Sequence, residues 1–484
     1  MSDPTDFDPQ RFNPGPRPEI ADPRPWSFPV PQRASLDNGL EVINYRLPGQ
    51  HVISASLVLD VPLTAEPREL EGVAAITCRT LDEGTALHSA DEFAELLETA
   101  GAGFGIDVSS AGLQLILDVP SRHLDAALAL FAEAVTTPAL DGPDIDRQVQ
   151  LRLAEIGQAR ANPSQAAAIA FRRMVFADGT RFARMNDGEP DTITAVTADA
   201  ARQFHHDHFG PRGAKLILAG ELPDGVESLV QQHFADWSGD QQRTVDHQSP
   251  EPGVRRAVIV HRPGAVQADL QFGGFGIDRN DPRWADISVA SYIMGGAFLS
   301  RLNGVLREEL GYTYGVRMGF QPLRTGGTFA VSGSFRTEVI GDALSRARSL
   351  LSLADRPFTQ DEVKDAVTYF AGVSPLRYAT ADGVVDQAAI QALAQLPDDY
   401  LDQRLAKLRT VTSESAAAAY ESLVDADQLT LAIAGDADKI TDPLKQAGFP
   451  DIDIIDLEQA QRAAARLSPS TASRSRRYGG SGAT

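Results

Sequence analysis

The run His205-His206-Asp207-His208 packs three imidazoles and a carboxylate, all metal-ligand types, into four positions. On a helix only residues three or four apart share a face, which leaves His205 and His208 as the one pair able to point together. The run is read as a polar helix end. Cys78, the only cysteine, sits in a helical apolar pattern, the setting of a buried packing residue rather than of a thiolate nucleophile. The stretch Gly101 to Asp107, "GAGFGID", looks like a phosphate-cradling loop, but such loops follow a strand and open a helix. Here the order runs from helix into strand, so a helix C-cap and a bulge is the reading. The last candidate is Arg307 with Tyr314, seven residues on. A guanidinium near a helix end and a phenol just past the turn can both donate hydrogen bonds to a carbonyl or an oxyanion. On spacing alone, ordinary surface pairing is the default reading.

These residues have to be positioned by something. Two strand-like segments rich in β-branched residues, Leu40 to Leu47 and His51 to Val61, follow the turn signal Asp37-Asn38-Gly39, and a hairpin is the simple reading. Helical periodicity covers Leu70 to Leu81 and Ser89 to Ala100, the second opened by a capping box, Ser89 with Glu92, and stopped at Gly101. Gly112 to Pro120 alternates as a strand, and Ser121 to Val135 returns to helical spacing. The segment from Val196 to Leu222, helix then turn then strand, reappears from Val411 to Ala437 at a constant offset of 215, so that Gly220 pairs with Gly435 and Glu221 with Asp436. Two matched halves follow. Strands and helices do not alternate one for one, and the expected class is α+β: two homologous α/β-roll halves, each a mainly antiparallel sheet packed with helices.

The expected organisation is an extended Pro-rich arm (1–33), a first domain (34–240), a polar linker (241–256), a second domain (257–458) and a basic, disordered tail (459–484). That tail has five arginines and no acid from Arg462 onward. At 43% hydrophobic and 23% charged, the chain reads as an ordinary soluble globular protein with no membrane span and no secretory signal. A single cysteine excludes an intrachain disulfide and fits a reducing, cytoplasmic setting. The formal charge of −22 argues against nucleic acid as a partner and hints at basic peptides.

From Ser35 to Asp456 the chain resembles the insulinase/pitrilysin family of zinc peptidases, the inverzincins, and especially their short two-domain branch, which includes the mitochondrial processing peptidase subunits. The resemblance rests on the Asp37-Asn38-Gly39-Leu40 opening, the duplicated halves, "FHHDHFGPRGAKLILAGEL" (Phe204 to Leu222), "GGAFLSRLNGVLREELGYTYGV" (Gly295 to Val316) and "AIAGDADKI" (Ala432 to Ile440). Active members carry His-x-x-Glu-His on the first helix, where two imidazoles one turn apart bind zinc and the glutamate takes a proton from the metal-bound water. After Gly72-Val73-Ala74 this sequence has Ala75 at the first ligand position, Cys78 at the base and Arg79 at the second ligand. The third ligand, a glutamate in a later helix, corresponds to Glu155. One carboxylate cannot hold catalytic zinc, and an Arg79–Glu155 ion pair is expected in its place.

In the family an arginine and a tyrosine matching Arg307 and Tyr314 contact the substrate backbone. The resemblance therefore implies a non-catalytic subunit that binds no cofactor itself. It would close a chamber with a homologous, zinc-bearing partner in a heterodimer, bind unstructured peptide and supply the Arg/Tyr pair. A structural or assembly role, as in the family's respiratory core subunits, and a homodimeric peptide-binding module are the alternatives.

Overall fold

A computed structural model describes residues 15–16, 26–239, 247–254 and 256–455. The expected tail, nearly all of the arm before Trp26, and residues 241–246 and 255 of the linker lie outside the described residues.

Two six-stranded mixed sheets form the frame, and the class is α+β. The first contains β1 (Gln32–Ser35), β2 (Glu41–Arg46), β3 (Val52–Leu59), β4 (Gly103–Ser109), β5 (Gly112–Pro120) and β6 (Lys215–Gly220) in the order β1-β2-β6-β3-β5-β4. The second contains β7 (Ala257–His261), β8 (Gln267–Gly276), β9 (Val316–Pro322), β10 (Gly327–Arg336), β11 (Thr430–Gly435) and β12 (Asp453–Ile455) in the order β12-β7-β11-β8-β10-β9. Most neighbours are antiparallel; the exceptions are β2 with β6, β7 with β11 and β7 with β12. The 215-residue offset holds in three dimensions, since β6 maps onto β11 residue for residue.

Two local expectations need correcting. Leu40–Leu47 and His51–Val61 do supply strands, but they are not a hairpin: β6 lies between them, parallel to β2 and antiparallel to β3. The Asp37-Asn38-Gly39 turn instead closes β1 against β2. Gly101 is the C-cap of its helix in the left-handed region, at φ 63°, as glycine's missing Cβ permits. No bulge follows, because β4 and β5 pair in unbroken register from Gly103 with Asp118 to Ser109 with Gly112.

The helices that matter for the site are α1 (Val73–Arg79), α2 (Ala90–Ala100), α3 (Leu124–Thr136), α4 (Gly142–Ala161) and α5 (Pro163–Val175). α2 opens with the capping box, Ser89 and Glu92 each bonding the other's backbone amide. The halves are bound by an exchange of helices. Ala166, Ala167, Ala170 and Met174 of α5 pack on Val258, Val260, Ala432 and Ala434 of the second sheet. Reciprocally, Ala381, Val384, Val385 and Ala389 of the helix Ala381–Leu393 pack on Ile43, Val58, Ile217 and Ala219 of the first. Each sheet thus buries one apolar face under its own helices and the other under a helix of its counterpart, which is why both faces of the central strands read as apolar. Trp26 and Phe28 join the second of these cores, stacking on and edging against Tyr378.

Candidate functional site

α1 is short, and its position is fixed at its N-terminus. Gly72 caps it at φ 100°, and a Cβ there would lie 2.4 Å from Ile193 Cδ1 and 2.9 Å from the Asp187 carbonyl oxygen, so only glycine lets this loop approach. The Glu66 carboxylate accepts from the Gly72 and Ala74 amides at 2.9 and 3.0 Å, meeting two of the helix's orphan donors. Arg181 in turn holds Glu66 through Nε at 3.1 Å and Nη2 at 2.9 Å, with both side chains almost fully buried.

On this anchored helix Ala75 and Cys78 are buried among their neighbours. Burial pushes the Cys78 thiol far above its ordinary range, so it packs and does not react. Arg79, one turn after Ala75, donates Nη1 to Glu155 Oε1 at 2.8 Å. Arg152, three residues before Glu155 on α4, donates Nη1 to the other carboxylate oxygen at 3.1 Å and lies 3.7 Å from Asp187. The Arg79 hydrogen bond, with burial opposing it and Arg152 assisting, holds Glu155 below the usual carboxylate range. These residues do not fit zinc. Neither Ala75 nor Arg79 offers a ligand, and both oxygens of the remaining carboxylate are taken by guanidinium groups.

The second half builds the other wall. Arg301, almost fully buried, fixes the segment that carries Arg307: Nε and Nη2 hold Glu362 at 2.8 and 2.7 Å, and Nη2 also donates to the Pro357 carbonyl at 2.8 Å. Burial alone would push Glu362 up, but the Arg301 bonds and the Thr359 amide outweigh it and bring its pKa down to about 2. Asn303 Oδ1 accepts the Val316 amide at 2.8 Å and so ties this segment to the start of β9. Arg307 lies in a widened, π-helical turn, Gly304–Glu309. Its guanidinium lies 3.8 Å from the centre of the Phe298 ring, donates Nη2 to the Phe298 carbonyl at 3.2 Å and pairs with Glu308 at 2.6 Å. Gly311, at φ 61°, ends the segment, and Tyr314 beyond it is 97% exposed.

Arg307 and Tyr314 line one cleft, of about 1240 Å³, between the halves. Arg152, Asp187 and two residues of β4, Asp107 and Val108, line its opposite wall. β4 and β9, each at the edge of its sheet, both reach this cleft. The sequence reading missed several of these residues. Arg152 was within reach of it, being three positions from Glu155 on one helix face. Phe298 and Asp187 were not, since only the folded chain brings them near Arg307 and Arg152.

The histidine run contributes no ligand set. Burial pushes His205 below its ordinary range, and its Nε2 meets the Val135 carbonyl at 2.8 Å. His206 pairs with Asp207 at 3.1 Å, and His208 packs on Phe204. Among the described residues, the cluster whose ligand atoms do converge is His261, Asp436 and Asp438. There His261 Nδ1 takes the Ala437 amide at 3.1 Å and Asp436 takes the Gly264 amide at 3.1 Å, the bonding of a loop and a helix start.

Comparison with known proteins agrees with the two-domain fold. The family model "Insulinase (Peptidase family M16)" matches residues 41–185, and "Peptidase M16 inactive domain" matches residues 195–370. An "uncharacterized zinc protease" of Streptomyces coelicolor is 23% identical over 394 residues, 80% of this chain and 86% of that protein. The "non-peptidase homolog YmxG" of Helicobacter pylori is 22% identical over 371 residues, 76% and 85% of the two chains. Among solved structures, a peptidase M16 inactive domain from Pseudomonas fluorescens superposes with a TM-score of 0.77 at 25% identity, covering 84% of this chain and 98% of that one.

Proposed function

The chain belongs to the insulinase (M16) peptidase family as an inactive member, and from that premise we propose that it is the non-catalytic subunit of a heterodimeric zinc peptidase. In this reading it closes a peptide chamber against a homologous partner that holds the zinc, and it works in the cytoplasm. No helix among the described residues is long and apolar enough to cross a membrane. One observation carries the proposal. The zinc positions are closed by the Arg79–Glu155–Arg152 cluster, while Arg307 and Tyr314 still face an open cleft. Tyr314, 97% exposed on that wall, is accessible to a peptide in the cleft.

Within this scheme the residues have separate tasks. An extended peptide in the cleft pairs its main chain with an edge strand, where unpaired N–H and C=O groups supply affinity without demanding a sequence. Tyr314 donates a hydrogen bond from its phenol to a peptide carbonyl, and Arg307 does likewise through its N–H groups once its guanidinium turns from Glu308. Arg301 and Asn303 are positioning residues that hold the segment carrying both donors.

The test is hydrolysis of an unstructured peptide by this chain alone, by a zinc-bearing homologue alone, and by the mixture. Activity that appears only in the mixture and is lost on Arg307→Ala establishes the shared site. A second reading, an assembly or peptide-binding protein with no proteolytic role, draws on the hold that Glu308 and Phe298 already have on Arg307. It gains if the homologue is fully active alone and mixing changes nothing.

A further inference from the structure

The cleft carries charge opposite in sign to the chain around it. The whole sequence has a formal charge of −22, yet the lining of this cleft presents four arginines, Arg152, Arg172, Arg307 and Arg317, against two aspartates, Asp107 and Asp187. Two of the arginines are already matched, Arg152 by Glu155 and Asp187, and Arg307 by Glu308. The other two are not. Arg172, on α5, donates Nε to the Phe182 carbonyl at 2.8 Å and Nη2 to Asn186 Oδ1 at 2.7 Å, both neutral acceptors. Burial, assisted by nearby Arg181 and opposed by Asp187 and Glu189, brings its pKa down to about 10, and no carboxylate among the described residues forms an ion pair or hydrogen bond with it. Arg317, on β9, is exposed and makes no ion pair or side-chain hydrogen bond among the described residues. Asp107 offers little competition, since burial and then nearby Asp187 push its carboxyl above the usual range.

A cation on each half, both lining one cleft and neither in an ion pair among the described residues, leaves room for an anion from outside. We propose that the cleft selects peptides bearing a carboxylate, either an acidic side chain or a free C-terminus, held between the walls that carry Arg172 and Arg317. This deepens the peptide-binding reading above and rests on it. Planar guanidinium groups suit the task because they take a carboxylate through two parallel hydrogen bonds. The chain's net charge points to basic peptides, but the field that a bound peptide meets is set by the charges lining the cleft.

The test is fluorescence anisotropy with short, labelled, unstructured peptides on the full chain. One peptide carries a central Glu and an amidated C-terminus, one has Gln in its place, one has no acid but a free C-terminus, and one carries Lys. A carboxylate peptide is expected to bind roughly tenfold tighter than its neutral counterpart, the scale of one added charge-assisted hydrogen bond. That preference should collapse on Arg317→Gln, an exposed site where folding is not at stake, and on Arg172→Met. A gain with Glu or with the free terminus says which carboxylate is used. Equal binding of all four peptides, or tightest binding of the Lys peptide, overturns the carboxylate preference and leaves peptide binding intact. Binding of none of them removes both.

Discussion

Glu155→Gln tests the closed zinc site most directly, because that carboxylate lies between two guanidinium groups at 2.8 and 3.1 Å. The Gln amide keeps one acceptor oxygen and loses the charge, leaving Arg79 and Arg152 to repel each other. Breaking a fully buried pair costs about 3–5 kcal/mol, and an exposed one about 0.2–1 kcal/mol. The side-chain exposures are 26% for Arg79, 12% for Arg152 and 42% for Glu155, so solvent screens the acid but less so its partners. The expected loss at pH 7 is therefore about 1–2 kcal/mol, read as a lower midpoint in urea unfolding followed by circular dichroism. Glu155 titrates below its unfolded value, so its contribution is complete above that value and is lost as pH falls through the folded one. The gap between wild type and variant should accordingly be full at neutral pH and shrink in acid. A double-mutant cycle with Arg79→Met isolates the pair, with an expected coupling of about 1 kcal/mol. Coupling below about 0.3 kcal/mol, or a variant as stable as wild type at pH 7, would refute the cluster as a structural element.

Three further outcomes follow from the same reasoning. Glu362→Gln strips the carboxylate from almost fully buried Arg301 and should cost about 2–4 kcal/mol at pH 7 in urea unfolding. Because Glu362 is held down at about 2, wild type should lose that advantage between the ordinary glutamate range and pH 2. Asp82 behaves oppositely: burial raises it to about 6, so its charged form costs stability above that pH and nothing below the ordinary aspartate range. Asp82→Asn should therefore stabilise the protein by about 1–2 kcal/mol at pH 7, a gain that vanishes near pH 4. Cys78, fully buried, should resist a water-soluble thiol reagent in the native protein and react promptly in denaturant; fast native labelling would contradict its placement in the core.

Much of this protein is written locally in its sequence. The capping box at Ser89, the C-cap at Gly101 and the strand at Gly112–Pro120 depend on side chains within a few residues of one another, so each is legible without the fold. The duplication is legible too, because a repeated unit keeps its spacing. Once the family resemblance marks Ala75, Cys78 and Arg79 as the zinc-motif positions, residue identity suffices for the rest, since alanine and arginine offer no ligand whatever surrounds them. What tertiary structure decided is everything that joins distant segments. β6 enters between β2 and β3 from far along the chain, and an apolar strand carries no local sign of which neighbour it will take. The exchange of α5 and the helix Ala381–Leu393 between the halves has the same cause, because an amphipathic face specifies that it will be buried but not under which sheet. Packed on the second sheet, α5 supplies part of the cleft's lining. That arginine-rich lining, drawn from α4, α5, β9 and the π-helical turn Gly304–Glu309 within an acidic chain, appears only when those elements meet.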